Sequence, residues 1–188
     1  MLTLTTISKK TICYNRSIII MNKRLIDQIS QYVEQHIGEF HAARLEKLKK
    51  LDLKKLLTRK NPYQVKAMRA MTVGGFVEFL IDDALYKINS DLFAHWMKEV
   101  ALFVLQAKGS SHCEAPHVIT LSEFCSHEYW TNKVGDNHFF ADTIEPAIES
   151  CFKEDNECHM MKTQLINRFT KEFLEEYCDS ECAFDWKK

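Results

Sequence analysis

From Met21 onward, apolar residues return three and four positions apart. Leu25, Ile26, Ile29, Tyr32, Val33, Ile37 and Phe40 fall on one face at 3.6 residues per turn, which predicts a first helix with one buried side. In the run RLEKLKKLDLKKLL, Leu45, Leu48, Leu51 or Leu53, and Leu56 form a second stripe with lysines between them. That helix buries one face and charges the other. Pro62 removes a backbone donor and disfavours a helical Asn61, so the second helix should end near Lys60. Thr72 is placed to cap a third helix that carries Val73, Phe76, Val77, Leu80, Ile81 and Ala84. Ser90 is placed to cap a fourth, with Leu92, Phe93, Trp96, Val100, Phe103 and Val104, and Gly109 suits its left-handed stop. After a loop over GSSHCEAPH, residues 121–133 read as a short helix ending before Gly135, and residues 138–153 as another interrupted at Pro146. Residues 160–177 form the last, packing Leu165, Ile166, Phe169, Phe173, Leu174 and Tyr177. No alternating strand pair and no internal repeat is visible.

Composition narrows this to an all-α fold. The 188 residues, 46% of them hydrophobic, fill one ordinary core, and five glycines with three prolines are too few for a sandwich or barrel of short strands. A single domain of five to seven packed helices is expected over residues 21–188. It divides into a basic half, 21–108, a loop, 109–120, and an acidic half, 121–188. Residues 1–20 read as a ragged leader, with Met21 as an alternative start. Their longest apolar run, 18–21, is short of the roughly 7 to 15 residues of a signal h-region. No run approaches the ~20 apolar residues of a membrane helix, so no membrane partner is expected. Seven cysteines without a C-x-x-C pair suit reduced thiols and a cytoplasmic protein.

Charge is unevenly spread, although the net value is −1. Between His41 and Met71 stand Arg44, Lys47, Lys49, Lys50, Lys54, Lys55, Arg59, Lys60, Lys66 and Arg69 against Glu46 and Asp52, a balance of +8. Between Asp142 and Lys188, twelve acidic residues face six basic ones. Such runs often do no more than solvate a helix face. The sharper reading is a nucleic-acid surface, on which Lys54, Lys55, Arg59, Lys60, Lys66 and Arg69 neutralise phosphates while Asn61 and Tyr63 hydrogen-bond beside them.

The residues then raise a family resemblance. HIGEFHAARLEKLKKLDLKKLLTRKNPYQVKAMRAMT, with LIDDALYKINSDLF and MKEVALFV after it, resembles the N-terminal half of a bacterial group of type II restriction endonucleases that carry a basic helix and an R-K-N-P-Y turn. FADTIEPAIESCFKEDNE and LINRFTKEFLEEYCD are similar to the C-terminal end of the same group. The resemblance implies duplex DNA as partner, a restriction-modification setting, and a homodimer or pairing with an intact nuclease subunit. Mg²⁺ is implied only where nuclease activity is retained; no other cofactor is expected.

The middle departs from that pattern. The family's nuclease core is of the PD-(D/E)xK type, with an Asp on one strand and a D/E-x-K on the next holding a divalent metal. Residues i and i+2 share a face only on a strand. Here residues 105–130 contain no D/E-x-K and no alternating hairpin. Chance predicts roughly 2.6 such triplets in a chain of this composition, and there are two, Asp52-Leu53-Lys54 inside a leucine-striped helix and Asp185-Trp186-Lys187 near the C-terminus. No catalytic residue is therefore assigned. A DNA-binding protein shortened through its nuclease core is expected; an active endonuclease with an unrecognised site and a helical partner-binding or metal-binding protein are the alternatives.

Those alternatives have residues of their own. His112, Cys113, His117, Cys125 and His127 offer zinc ligands within one short stretch, but without the closely spaced pairs of a structural site. Cys178 and Cys182 are four apart at the end of the last helix. Asp82 and Asp83 on the third helix, and Glu99 on the fourth, are placed to meet only if the two helices pair. Glu99 matches an acidic residue that leads into the family's nuclease core. Gly74-Gly75 lies within a helical stripe, and no glycine-rich phosphate loop, G-x-S-x-G or H-E-x-x-H appears.

Overall fold

The computed structural model describes residues 8–58, 71–108 and 119–177. No strand occurs among them; the all-α expectation holds. The described elements are α1 (Ser8–Lys49), α2 (Leu53–Thr58), α3 (Val73–Ala107), α4 (Leu121–Phe124), α5 (His127–Val134), α6 (Glu145–Phe152) and α7 (Asn156–Tyr177), with a π-helical segment, Phe140–Ile144, leading into α6.

Two predicted breaks are absent. Where the periodicity predicts separate helices before and after residues 41–44, α1 runs on to Lys49, and it begins at Ser8, ahead of Met21. His41-Ala42-Ala43-Arg44 contains no breaker and two of the strongest helix formers, so the apolar stripe shifts its phase without ending the helix. The real end comes one turn later, where Lys50 and Leu51 donate to the carbonyls of Lys47 and Leu48 at 3.3 and 3.0 Å in a tightened last turn. Ser90 likewise caps nothing: it lies inside α3. With no glycine or proline between Gly75 and Gly109, burial on both sides of Ser90 outweighs a weak start signal. Thr72 does cap α3, its hydroxyl accepting from Gly75 N–H at 3.2 Å. The helix ends at Ala107; Gly109, like the Asn61-Pro62 stop, lies outside the described residues.

The chain falls into two compact units, one formed by Met1–Glu39 with Ala94–Cys151, the other by Phe40–Phe93 with Phe152–Lys188. These divisions cut across the basic and acidic halves expected from charge.

In the first unit, Ile29 and Val33 of α1 and Trp96, Met97, Val100 and Val104 of α3 are buried. An aromatic chain continues this core: Trp96 meets Phe124 edge-on at 5.5 Å, Phe124 meets Trp130 at 5.4 Å, and Trp130 meets Phe139 at 5.8 Å. The Trp130 indole N–H donates to the Phe124 carbonyl at 2.7 Å, so the buried ring keeps a partner. Residues 121–133, expected as one helix, are two, because Thr120 builds a capping box with Glu123 and Ser126 caps a fresh start. α5 ends before Gly135 as expected, and Gly135 makes the stop in the left-handed region at φ 80. At Pro146 the interruption takes the form of the π segment: Glu145 N–H donates back to the Phe140 carbonyl, and the widened turn makes room where the proline lacks a donor.

The second unit has one contiguous core. Leu48, Leu53 and Leu56 come from α1 and α2, Phe76 to Leu85 from α3, and Cys158, Leu165, Phe169 and Phe173 from α7. α7 starts at Asn156 because Asp155 caps it, accepting from Cys158 N–H at 2.7 Å. Phe169 is fully buried in this core while Leu174 lies exposed on the far side of the same helix. Phe169→Ala should therefore cost about 3–5 kcal/mol, whereas Leu174→Ala should stay within about 0.5 kcal/mol; chemical denaturation of the two variants checks the contrast.

Candidate nucleic-acid interface

The basic surface is built where α1 ends and α2 begins. Asp52 caps α2, its carboxylate accepting the Lys55 N–H at 3.0 Å and its carbonyl the Leu56 N–H at 3.1 Å. Leu53 and Leu56 then turn into the core, and Lys54 and Lys55 necessarily turn out to solvent. Arg168 of α7 donates to the Leu51 carbonyl at 3.3 Å, tying the turn between the helices to α7. Lys47, Lys49 and Lys50 are exposed on the last turn of α1 and just after it, with Lys49 2.8 Å from Glu46. A hydrogen bond from Lys49 and its charge hold the Glu46 carboxyl below its usual range.

Of the eight residues expected to face nucleic acid, Lys54 and Lys55 are described, and both are exposed on α2. Arg59, Lys60, Asn61, Tyr63, Lys66 and Arg69 lie outside the described residues. The two lysines differ in one respect: Lys54 Nζ lies 3.3 Å from the Glu176 carboxylate of α7.

Arg44, counted with the basic run, does not belong to that face. It is fully buried, with Nη2 2.6 Å from Asp155 Oδ2 and Nη1 donating to the Lys153 carbonyl at 3.1 Å. His41 Nδ1 sits 2.7 Å from the same Asp155 oxygen, and a proton on that nitrogen makes it a second donor. Burial works to raise the Asp155 carboxyl, but the Cys158 amide, His41 and Arg44 together outweigh it and hold the group below its ordinary range. Sequence reasoning missed His41 and Asp155 because their partner is more than 100 positions away; the available signal was an Asp before N-E-C, a helix start that the apolar stripe from residue 160 hid.

The carboxylates first weighed as catalytic have other uses. Because α3 is unbroken, Asp83 and Glu99 belong to one helix and not to the two members of a helix pair. Asp82 is 2.6 Å from Lys162, whose ammonium also lies 3.7 Å from Glu154, and Asp83 is 2.6 Å from Lys87. Desolvation would lower the Lys162 ammonium, but Asp82, Glu154 and Glu78 hold it above its ordinary value. Asp52-Leu53-Lys54 lies at a helix start, where Asp52 is committed to capping and Lys54 points elsewhere. Asp185-Trp186-Lys187 lies outside the described residues.

Among the described residues no group of three or more His, Cys, Asp or Glu side chains is placed to hold a metal. Cys125 is exposed, and His127 Nε2 lies 2.6 Å from the Asn137 carbonyl; His112, Cys113, His117, Cys178 and Cys182 are outside the described residues. A shallow cavity of about 400 Å³ in the first unit is lined by Gln28, Gln31, Tyr32, Gln35, Phe103 and Ala107, with no cation in its wall to draw a phosphate.

Residues 27–114 match the family model of the type II restriction endonuclease EcoO109I. Over that stretch the chain is restriction-endonuclease-like. The match covers 88 of the 188 residues and includes most of α1, all of α2 and α3, and every position from Arg44 to Arg69. It stops short of the C-terminal stretches that also carry the resemblance. No curated protein and no solved structure matches the chain. No helix among the described residues is long and apolar enough to cross a membrane.

The ion pair between buried Arg44 and part-exposed Asp155 sets a pH dependence. Asp155 ionises more readily in the folded protein than in the unfolded chain, so its contribution is complete above the unfolded value near 3.9 and is lost as pH falls through the lower folded value. Asp155→Asn should flatten that acid limb in urea midpoints measured against pH. Asp155→Ala should destabilise more than Arg44→Met, because it leaves a buried guanidinium without its counter-charge.

Proposed function

We propose that this chain binds duplex DNA through the basic surface of α2 and residues 59–69, and that it carries no nuclease core of its own. The observation that carries the reading is the restriction-endonuclease match lying across the whole basic run, with Lys54 and Lys55 of that run exposed on one short helix. Lysines and arginines so presented neutralise backbone phosphates and release condensed counterions, which gives affinity without sequence readout. Asn61 and Tyr63, between Lys60 and Lys66 in the sequence, add hydrogen-bonding groups to the same stretch.

Two features support the second half of the proposal. A PD-(D/E)xK site needs neighbouring strands, and the described residues have none. The D-x-K triplet at Asp52 sits at a helix start, where i and i+2 diverge by about 200° around the axis. A protein of this kind acts by occupying DNA, alone, as a homodimer or beside an intact nuclease subunit; the isologous arrangement is the one that suits palindromic DNA. Mg²⁺ enters only where nuclease activity remains, and the cytoplasm is the compartment that such a partner implies.

A duplex-DNA titration over a salt series, with Mg²⁺ present and the DNA run afterwards on a gel, tests both halves. Affinity should fall on the order of 10³-fold between about 50 and 200 mM salt if six cations are engaged, and the DNA should stay whole. Charge reversal at Lys55, Arg59 and Lys60 together should remove most of the affinity and flatten the salt slope by about three. Discrete Mg²⁺-dependent fragments would overturn the missing core, and no binding even at low salt would overturn the DNA reading.

A further inference from the structure

The last turn of α7 breaks a local rule. The carbonyl end of a helix favours cations, yet this one holds Glu175 and Glu176 and no basic residue. The other glutamates there have partners on their own helix: Arg168 is 3.5 Å from Glu172, and Lys171 is 3.8 Å from Glu175. Glu176 has none at the same spacing, since the residue four before it is Glu172, a like charge. It reaches across to α2 instead, where its carboxylate lies 3.3 Å from Lys54 Nζ. Packing sets this pairing, because Leu53 and Leu56 on the inner face of α2 and Phe169 and Phe173 on α7 share one core.

We propose that Glu176 is an internal competitor for the DNA: in the free protein its carboxylate occupies Lys54 where a phosphate would bind, so binding must first displace that carboxylate. This rests on the DNA-binding reading and adds to it a built-in brake. A carboxylate and a phosphate oxygen offer an ammonium the same kind of acceptor, and both side chains here are exposed, so one can replace the other without opening the core. The hydrogen bond and charge of Glu176 hold the Lys54 ammonium above its ordinary value, which leaves its charge intact and only its partner exchangeable. Lys55, one residue on, carries the same charge without that contact, so the brake acts on one cation of the surface.

The full chain and the variants Glu176→Gln, Lys54→Gln, their double, Glu175→Gln and Glu175→Gln with Lys54→Gln are titrated into labelled duplex DNA near 0.15 M salt, where charges beyond about 8 Å are largely screened. Glu176→Gln should tighten binding roughly two- to five-fold, the range expected for release of one exposed ion pair. In the Lys54→Gln background that gain should vanish. Glu175→Gln removes the same charge from the neighbouring position, and whatever it does should be indifferent to Lys54. If the wild type binds and Glu176→Gln changes nothing, or its gain survives without Lys54, the competitor proposal falls while the DNA reading stands. If no variant binds DNA even at low salt, the DNA reading fails and takes this proposal with it.

Discussion

A buried guanidinium organises the second unit. Arg44 has left water completely, and such a charge is tolerated only where a counter-charge and further acceptors receive it. Asp155 and the Lys153 carbonyl do so, and both belong to the short stretch before α7. The same Asp155 carboxylate caps α7 through Cys158. One side chain thus begins the last helix and neutralises the core of the first, so the start of α7 is fixed against α1 by electrostatics as well as by apolar contact.

That constraint reaches the surface. α7, so placed, lays Leu165, Phe169 and Phe173 against α2 and α3, and its Arg168 closes the turn between α1 and α2. α2 is only six residues long, too short to persist alone; its two leucines in the shared core keep it helical. The outward direction of Lys54 and Lys55 follows from the inward direction of Leu53 and Leu56. Charge patterning in this unit is accordingly a by-product of packing, and so is the contact between Lys54 and the acidic end of α7.

Charges close in sequence proved to have unlike uses. Within one basic run, Arg44 serves the core, Lys49 pairs with Glu46 on its own helix, Lys54 reaches to another helix and Lys55 stands open to solvent. A count of +8 cannot separate these uses, because it records side chains and not the dielectric around them. Asp82, Asp83 and Asp52 make the same point for carboxylates: each is engaged by a lysine or a backbone amide within its own unit.

By itself the sequence determined the class of fold, the apolar faces, the Thr72 cap and the Gly135 stop, since these depend on residues within one or two turns of each other. It also carried the family resemblance, whose N-terminal part lies within the matched residues 27–114, because a helix stripe and its basic face are local patterns. Only tertiary structure decided that the helical stretches on either side of Ser90 join, where burial on both sides outweighs a weak start signal. It alone decided that Arg44 is interior and Lys54 is partnered. Those outcomes depend on Asp155 and Glu176, more than 100 residues distant along the chain, and no periodicity along the chain can register an electrostatic contact made through space.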